Sequence, residues 1–116
     1  MTRVAIPTFQ NRVSPVLDTC QHLLILDIQQ HREVSREAVF LGEMPLAERF
    51  DVIANLGVVT VICGGVSETF ANMLKGSNVL LRNGVAGDVD EIITAFLEDR
   101  IDMPRYYMPG FDPRVS

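Results

Sequence analysis

No apolar run in this chain approaches the roughly 20 residues that a membrane helix needs, so a helical membrane protein is excluded. The amino end, Met1-Thr2-Arg3-Val4-Ala5-Ile6-Pro7, has no signal-peptide core or cleavage site and already reads as a strand, so a cytoplasmic location is expected. Cations are scarce as a group: the ten Lys and Arg form no basic stripe, and the net charge is −5. Phosphate neutralisation needs clustered cations, so no nucleic-acid partner is expected. Only two cysteines are present, Cys20 and Cys63, with no Cys-x-x-Cys spacing. Without a secretory context they read as thiols, ligands or bystanders rather than a disulfide framework, and they fall short of a four-ligand structural zinc site. The sequence also lacks a Gly-x-Ser-x-Gly elbow, a Walker loop and a His-Glu-x-x-His pair. Asp18 and Asp27 flank an apolar segment without a partner at catalytic spacing. No general acid and base can be named, and a non-enzymatic protein is expected.

What is present is a chain of 116 residues, 47% hydrophobic, long enough for one compact domain with its own core. It is organised around Val58-Val59-Thr60-Val61-Ile62-Cys63-Gly64-Gly65-Val66-Ser67. Five β-branched residues in succession read as a strand buried on both faces, as parallel strands are. Gly64 and Gly65 permit a sharp turn or close approach to a ligand, and Ser67 can cap the helix that follows.

Three segments precede it. Arg3–Pro7 is a short apolar strand ending at proline, and Thr8–Thr19 reads as a long polar loop containing Asn11, Ser14, Pro15 and Asp18. His22–Ile28 is a second strand. Val34–Leu41 alternates apolar with polar residues, which fits an edge strand with one wet face. After Pro45, the residues Leu46, Phe50, Ile53, Ala54 and Leu56 follow at helical spacing until Gly57. Ser67 opens a second helix, Asn78–Leu81 reads as a fifth strand, and Asp88 with Glu91 opens a third helix. The order β-β-β-α-β-α-β-α with right-handed crossovers implies an α/β fold. Its expected sheet has five strands in the order 3-2-1-4-5, only the second antiparallel, with helices on both faces. Residues 101–116 differ: three prolines at 104, 109 and 113 argue against a helix, while Tyr106, Tyr107 and Phe111 argue against disorder. The expected division is thus a domain over residues 1–100 and an extended arm over 101–116. That arm would lie on the domain or on a second copy.

This topology gathers separate segments at one rim of the sheet. The loop after the first strand, Cys20 and His22 at the start of the second, and Cys63-Gly64-Gly65 all belong there, with Arg82-Asn83-Gly84 after the fifth strand. Two capped helix starts point to the same rim, where their positive ends would welcome an anion and lower the pKa of Cys63. Each feature also has a plainer reading. A free cysteine is commonly a small buried hydrophobe, a histidine at a strand start is commonly a hydrogen-bonded edge residue, and two glycines can simply serve a turn. His31, at the far end, is given no role.

Val4-Ala5-Ile6-Pro7, Arg12-Val13-Ser14-Pro15, the Leu23–Ile28 strand and Val61-Ile62-Cys63-Gly64-Gly65 occur in an order that resembles the nitrogenase iron–molybdenum-cofactor accessory family. The resemblance covers residues 3 to about 98 and implies a three-layer, ribonuclease-H-like α/β fold. It also implies that an iron- or molybdenum–sulfur cluster, or a precursor, is bound or carried during metallocluster assembly. Many relatives follow the Ser-Pro pair with His-Phe-Gly, where this chain has Val16-Leu17-Asp18; one branch ends in Met-Pro-Gly-Cys, where this chain has Met108-Pro109-Gly110-Phe111. The expected ligands are therefore the thiols Cys63 and Cys20 with His22 as a third, while Ser14, Gly64 and Gly65 contact the cofactor. The two glycines would leave space for something larger than water. Metallocluster assembly proteins are the expected partners, with homodimerisation through the arm as a further expectation. The rival reading is a non-catalytic interaction module that has lost the cluster and works through its aromatic tail and an apolar patch.

Overall fold

The computed structural model describes residues 1–112. Pro113 and the rest of the expected arm, 113–116, lie outside the described residues. The elements are β1 (Thr2–Phe9), β2 (Arg12–Val13), β3 (His22–Gln29), β4 (Arg32–Phe40), α1 (Leu46–Asn55), β5 (Thr60–Ile62), α2 (Glu68–Gly76), β6 (Leu80–Arg82) and α3 (Val89–Leu97). The protein is an α/β domain with a mixed sheet. The strand path is β4-β3-β1-β5-β6, and β2 pairs with β1 off this path. β3 is antiparallel to β1 and β4, whereas β5 is parallel to β1 and to β6. Among the described residues no helix is long and apolar enough to cross a membrane.

Alternation along the central strand builds a core on each face. Val4 and Ile6 of β1 pack with Leu26 and Ile28 of β3 and with Val89, Ile92 and Ile93 of α3. Ala5 lies on the other face with Leu23, Ile25, Val61 and Cys63, under Ile53 of α1 and Phe70 and Leu74 of α2. Each fully buried large side chain in these layers contributes about 1.5–3 kcal/mol relative to exposure. The helix boundaries have local causes. Ser67 Oγ accepts from the Phe70 N–H at 3.1 Å, and the Asp88 carboxylate accepts from the Asp90 and Glu91 N–H groups at 2.9 and 3.2 Å. Gly57, just beyond α1, has φ +72°, the left-handed conformation that ends many helices.

Several expectations need correction. The sheet has six strands rather than five, because the expected loop over Thr8–Thr19 begins as a hairpin: Thr8 pairs with Val13 and Phe9 with Arg12. Its two turn residues, Gln10 and Asn11, both have positive φ (50° and 63°), the backbone of a tight two-residue hairpin turn, without the glycine that usually signals one. A 3-10 turn, Leu17–Thr19, completes the segment. The first strand does not stop at Pro7. Pro7 is paired with Leu23 of β3, and its carbonyl accepts from the Ser14 N–H at 2.8 Å. Asn78 belongs not to the fifth expected strand but to the turn that closes α2, at φ +62° with its N–H on the Lys75 carbonyl. β4 has no buried face: all nine residues are exposed or half-buried, including Phe40 at 68% and Val34 at 50%, and of its apolar side chains only the half-buried Val39 packs against a core. The arm contains a 3-10 turn, Pro104–Tyr106, with proline at its first position, where the missing N–H costs nothing.

Candidate functional site

Beyond the end of β5 the backbone continues as a second tier of pairing along the rim. The Val85 N–H reaches the Cys63 carbonyl at 3.0 Å and the Gly84 N–H the Gly64 carbonyl at 2.8 Å. On the other side the Gly65 N–H donates to the Pro15 carbonyl at 2.6 Å, and the Leu17 N–H to the Gly65 carbonyl at 2.9 Å. A Cβ on Gly64 would stand 2.8 Å from the Pro15 oxygen and 3.0 Å from the Ser14 oxygen; one on Gly65 would stand 3.1 Å from the Pro15 oxygen. The diglycine is thus required by a close backbone crossing. The space expected above it is filled by residues 14–17 of the same chain.

One of those residues, Leu17, is packed in the same apolar cluster as both thiols. Cys63 is 0% exposed and Cys20 3%, and both lie in one apolar cluster with the fully buried Leu17. Burial pushes the Cys63 thiol up to about 12, and the neighbouring Cys20 and Asp18 push the same way. Burial likewise raises Cys20, against the opposing pull of the Arg49 guanidinium. The expectation that two helix starts would make Cys63 a thiolate is overturned, and the reason is geometric. Asp18 takes the Ser67 N–H at 2.9 Å on one oxygen and the Ser67 hydroxyl on the other, so the α2 start already holds a carboxylate. Asp88 occupies the α3 start in the same sense. Neither helix end is an open anion site.

Arg49 is the other buried polar group here, 3% exposed. It donates to the Met44 carbonyl at 2.6 Å, the Gly42 carbonyl at 2.9 Å and the Cys20 carbonyl, with its Nη1 also 3.8 Å from Cys20 Sγ. A shallow pocket of about 350 Å³ beside it is bounded by Asp18, Thr19, Gln21 and Glu43.

The candidate residues are therefore brought together only in part. Cys20 and Cys63 share a cluster, and Ser14, Gly64 and Gly65 border it through their backbones. His22 is exposed and is placed by its pairing with Thr8 and Phe40, its ring edge-on to Phe40 at 5.4 Å. It alternates with Leu23, a residue of the thiol-side core, and so faces the other side of the sheet. Among the described residues no three His, Cys, Asp or Glu side chains gather as a metal site.

Arg49 escapes the sequence reading, and so does the partner of Asp18, which reads there only as a loop carboxylate without one. Arg49 stands three residues after Leu46 and four before Ile53, inside the apolar stripe of α1, and that position is the available signal. Nothing local links Asp18 to Ser67, and only the fold does.

The end of β6 is closed by the arm. The Ala86 N–H donates to the Tyr106 carbonyl at 2.8 Å and the Met108 N–H to the Gly84 carbonyl at 2.9 Å. Tyr106 is buried in the α3-side core. Phe111 lies on Gly84 so closely that a Cβ there would stand 2.2 Å from its ring, and Tyr107 meets Phe111 edge-on at 5.4 Å.

Comparison with known proteins now places the chain. The sequence profile described as "Dinitrogenase iron-molybdenum cofactor" matches residues 1–99. No curated protein matches. Among solved structures, PH0822 superposes with a TM-score of 0.83 at 20% identity, covering 89% of this chain and 95% of that one. MJ0327 of Methanocaldococcus jannaschii gives 0.69 at 26% identity over 86% and 91% of the two chains. The orange protein of Desulfovibrio gigas, in its apo form, gives 0.72 at 17% over 93% and 97%. At these identities PH0822 and the orange protein show the fold alone.

Proposed function

Because the chain belongs to the dinitrogenase iron–molybdenum cofactor family, we propose that it is a non-catalytic binding or carrier protein. Its cargo would be an anionic iron- or molybdenum–sulfur cluster, or a precursor of one. The observation that carries this reading is the convergence of Cys20 and Cys63, distant in sequence, in a single cluster behind the parallel-strand ends. Thiolates are the soft ligands such metals take. Two protein sulfurs would suffice for a cluster that brings its own sulfide, so the lack of a three-donor group among the described residues is compatible with this cargo. Cys63 and Cys20 are the proposed ligands, with Gly64, Gly65 and Ser14 as the adjoining wall. His22, on the opposite face, is retained only as a donor that would have to come from a rearranged rim.

A ribonuclease-H-like topology, a cytoplasmic location and partnership with metallocluster assembly proteins belong to the same proposal. So does pairing of two copies through the arm, whose Met103 and Arg105 are exposed. The visible absorption spectrum of protein purified without air tests the cargo: sulfur-to-metal charge-transfer bands that disappear in Cys63→Ser are expected. A colourless protein that also stays colourless after anaerobic incubation with iron(II) and tetrathiomolybdate would overturn it. One observation favours a second reading, an interaction module. β4 is an open edge of nine residues carrying exposed Val34 and Phe40. That reading expects the colourless result together with a partner that protects β4 amides from hydrogen exchange.

A further inference from the structure

Both thiols are buried, and a short strap of defined construction packs into the cluster that holds them. Residues 14–20 cross the diglycine, drop Leu17 into the cluster that holds Cys20 and Cys63, and rejoin the sheet at β3. Most of their fastenings are backbone bonds: Ser14 to Pro7, Gly65 to Pro15 and Leu17 to Gly65. Two are made by charged side chains. Arg49, deeply buried, holds the Cys20 carbonyl at the strap's far end. Asp18 holds Ser67 by two hydrogen bonds that are exposed to solvent.

We propose that residues 14–20 are a gate over the thiol pair and that the Asp18–Ser67 contact is its latch. The inference rests on the binding role above for what the gate admits, a thiophilic metal–sulfur species, but the gate itself is independent of any cargo. The latch is the weakest fastening for a physical reason. Both its groups are solvated, so water competes for them once the contact loosens, whereas opening at the Arg49 end would take from a buried cation one of its three carbonyl acceptors, with the Met44 and Gly42 carbonyls left. Opening at Asp18 withdraws Leu17 and needs no change in β1, β3 or the helices. Local openings of this kind cost less than global unfolding and draw on segments with solvent-exposed hydrogen bonds.

Alkylation of Cys63 by iodoacetamide, followed by mass in the Cys20→Ser chain, tests the gate without any metal. Labelling should be insensitive to low urea and should steepen only near the unfolding transition. It should be about tenfold faster in Asp18→Ala, with the intermediate effect in Asp18→Asn, consistent with loss of a capping-type contact. If Asp18→Ala does not fold, Asp18→Asn carries the comparison. Labelling that follows the global unfolding curve from zero urea, or that is unchanged in the folded Asp18 variant, would overturn the gate. Failure of the wild-type chain, with both cysteines, to take up iron and molybdenum while labelling behaves as expected would instead count against the cargo.

Discussion

At the end of β5 the rim is covered by residues 14–20, fastened by backbone bonds, the buried Arg49 and the exposed Asp18–Ser67 pair. At the end of β6 it is covered by the arm, anchored by Ile101 and Tyr106 in the α3-side core and by Phe111 on Gly84. The first cover packs Leu17 into the cluster that holds both thiols. The second sits on the other face of the sheet and shields apolar surface. Buried apolar anchors hold with about 1.5–3 kcal/mol each, whereas a solvated capping contact is worth about 1 kcal/mol. The strap has one large apolar anchor, Leu17, and a solvated latch, whereas the arm has two such anchors, Ile101 and Tyr106, so the strap is the cover that opens at the lower cost.

The largest effect that could break this contrast is expected from Tyr106→Ala. Removing a buried ring whose hydroxyl also takes a bond from Arg100 at 3.3 Å should cost about 3 kcal/mol in urea unfolding. Loss of under 1 kcal/mol would make the arm as dispensable as the strap. Next is Gly64→Ala, which forces a methyl to 2.8 Å from the Pro15 oxygen. It should destabilise by about 2 kcal/mol and speed Cys63 labelling, since the crossing backbone must move. Asp18→Ala should cost about 1 kcal/mol in stability, well below Tyr106→Ala, and equal losses in the two would erase the contrast. Phe111→Ala is smaller still in labelling: no change in Cys63 reactivity is expected, because Phe111 covers Gly84 and not the thiols.

The last comparison has no effect at neutral pH. Cys63 titrates near 12 in the folded chain, above the ordinary thiol value near 8.5, so the folded state keeps a proton that the unfolded chain gives up. The stability this confers is complete below about pH 8.5 and is lost as pH rises towards about 12. Wild type should therefore lose stability faster than Cys63→Ala across that interval. Parallel curves for the two proteins would mean that Cys63 is not shielded.

Features set by neighbours in the chain could be read without coordinates. Ser67 and Asp88 cap helices, Gly57 ends one, and the β-branched run at 58–62 contains a parallel strand, although only Thr60–Ile62 forms it and Val59 is 47% exposed rather than buried. Features set by distant segments could not. The Gln10-Asn11 turn lacks glycine, so a hairpin resembled a loop. Gly64 and Gly65 suggest room for a ligand when read alone, yet the Pro15 carbonyl occupies it. Asp18 resembles an unpartnered loop carboxylate until the fold sets it against Ser67. The thiols' position was legible from strand order, but their protonation was not, because burial depends on Leu17 and on helices packed from elsewhere.

The role of the thiol pair is tested most directly by measuring metal retained on the protein. Wild type and the Cys20→Ser/Cys63→Ser double variant would be incubated without air with iron(II) and tetrathiomolybdate, separated by gel filtration, and analysed for both metals in the protein fraction. Wild type is expected to keep iron and molybdenum through the column and the folded double variant to lose them. Equal retention by the two proteins would contradict a thiol-held cargo.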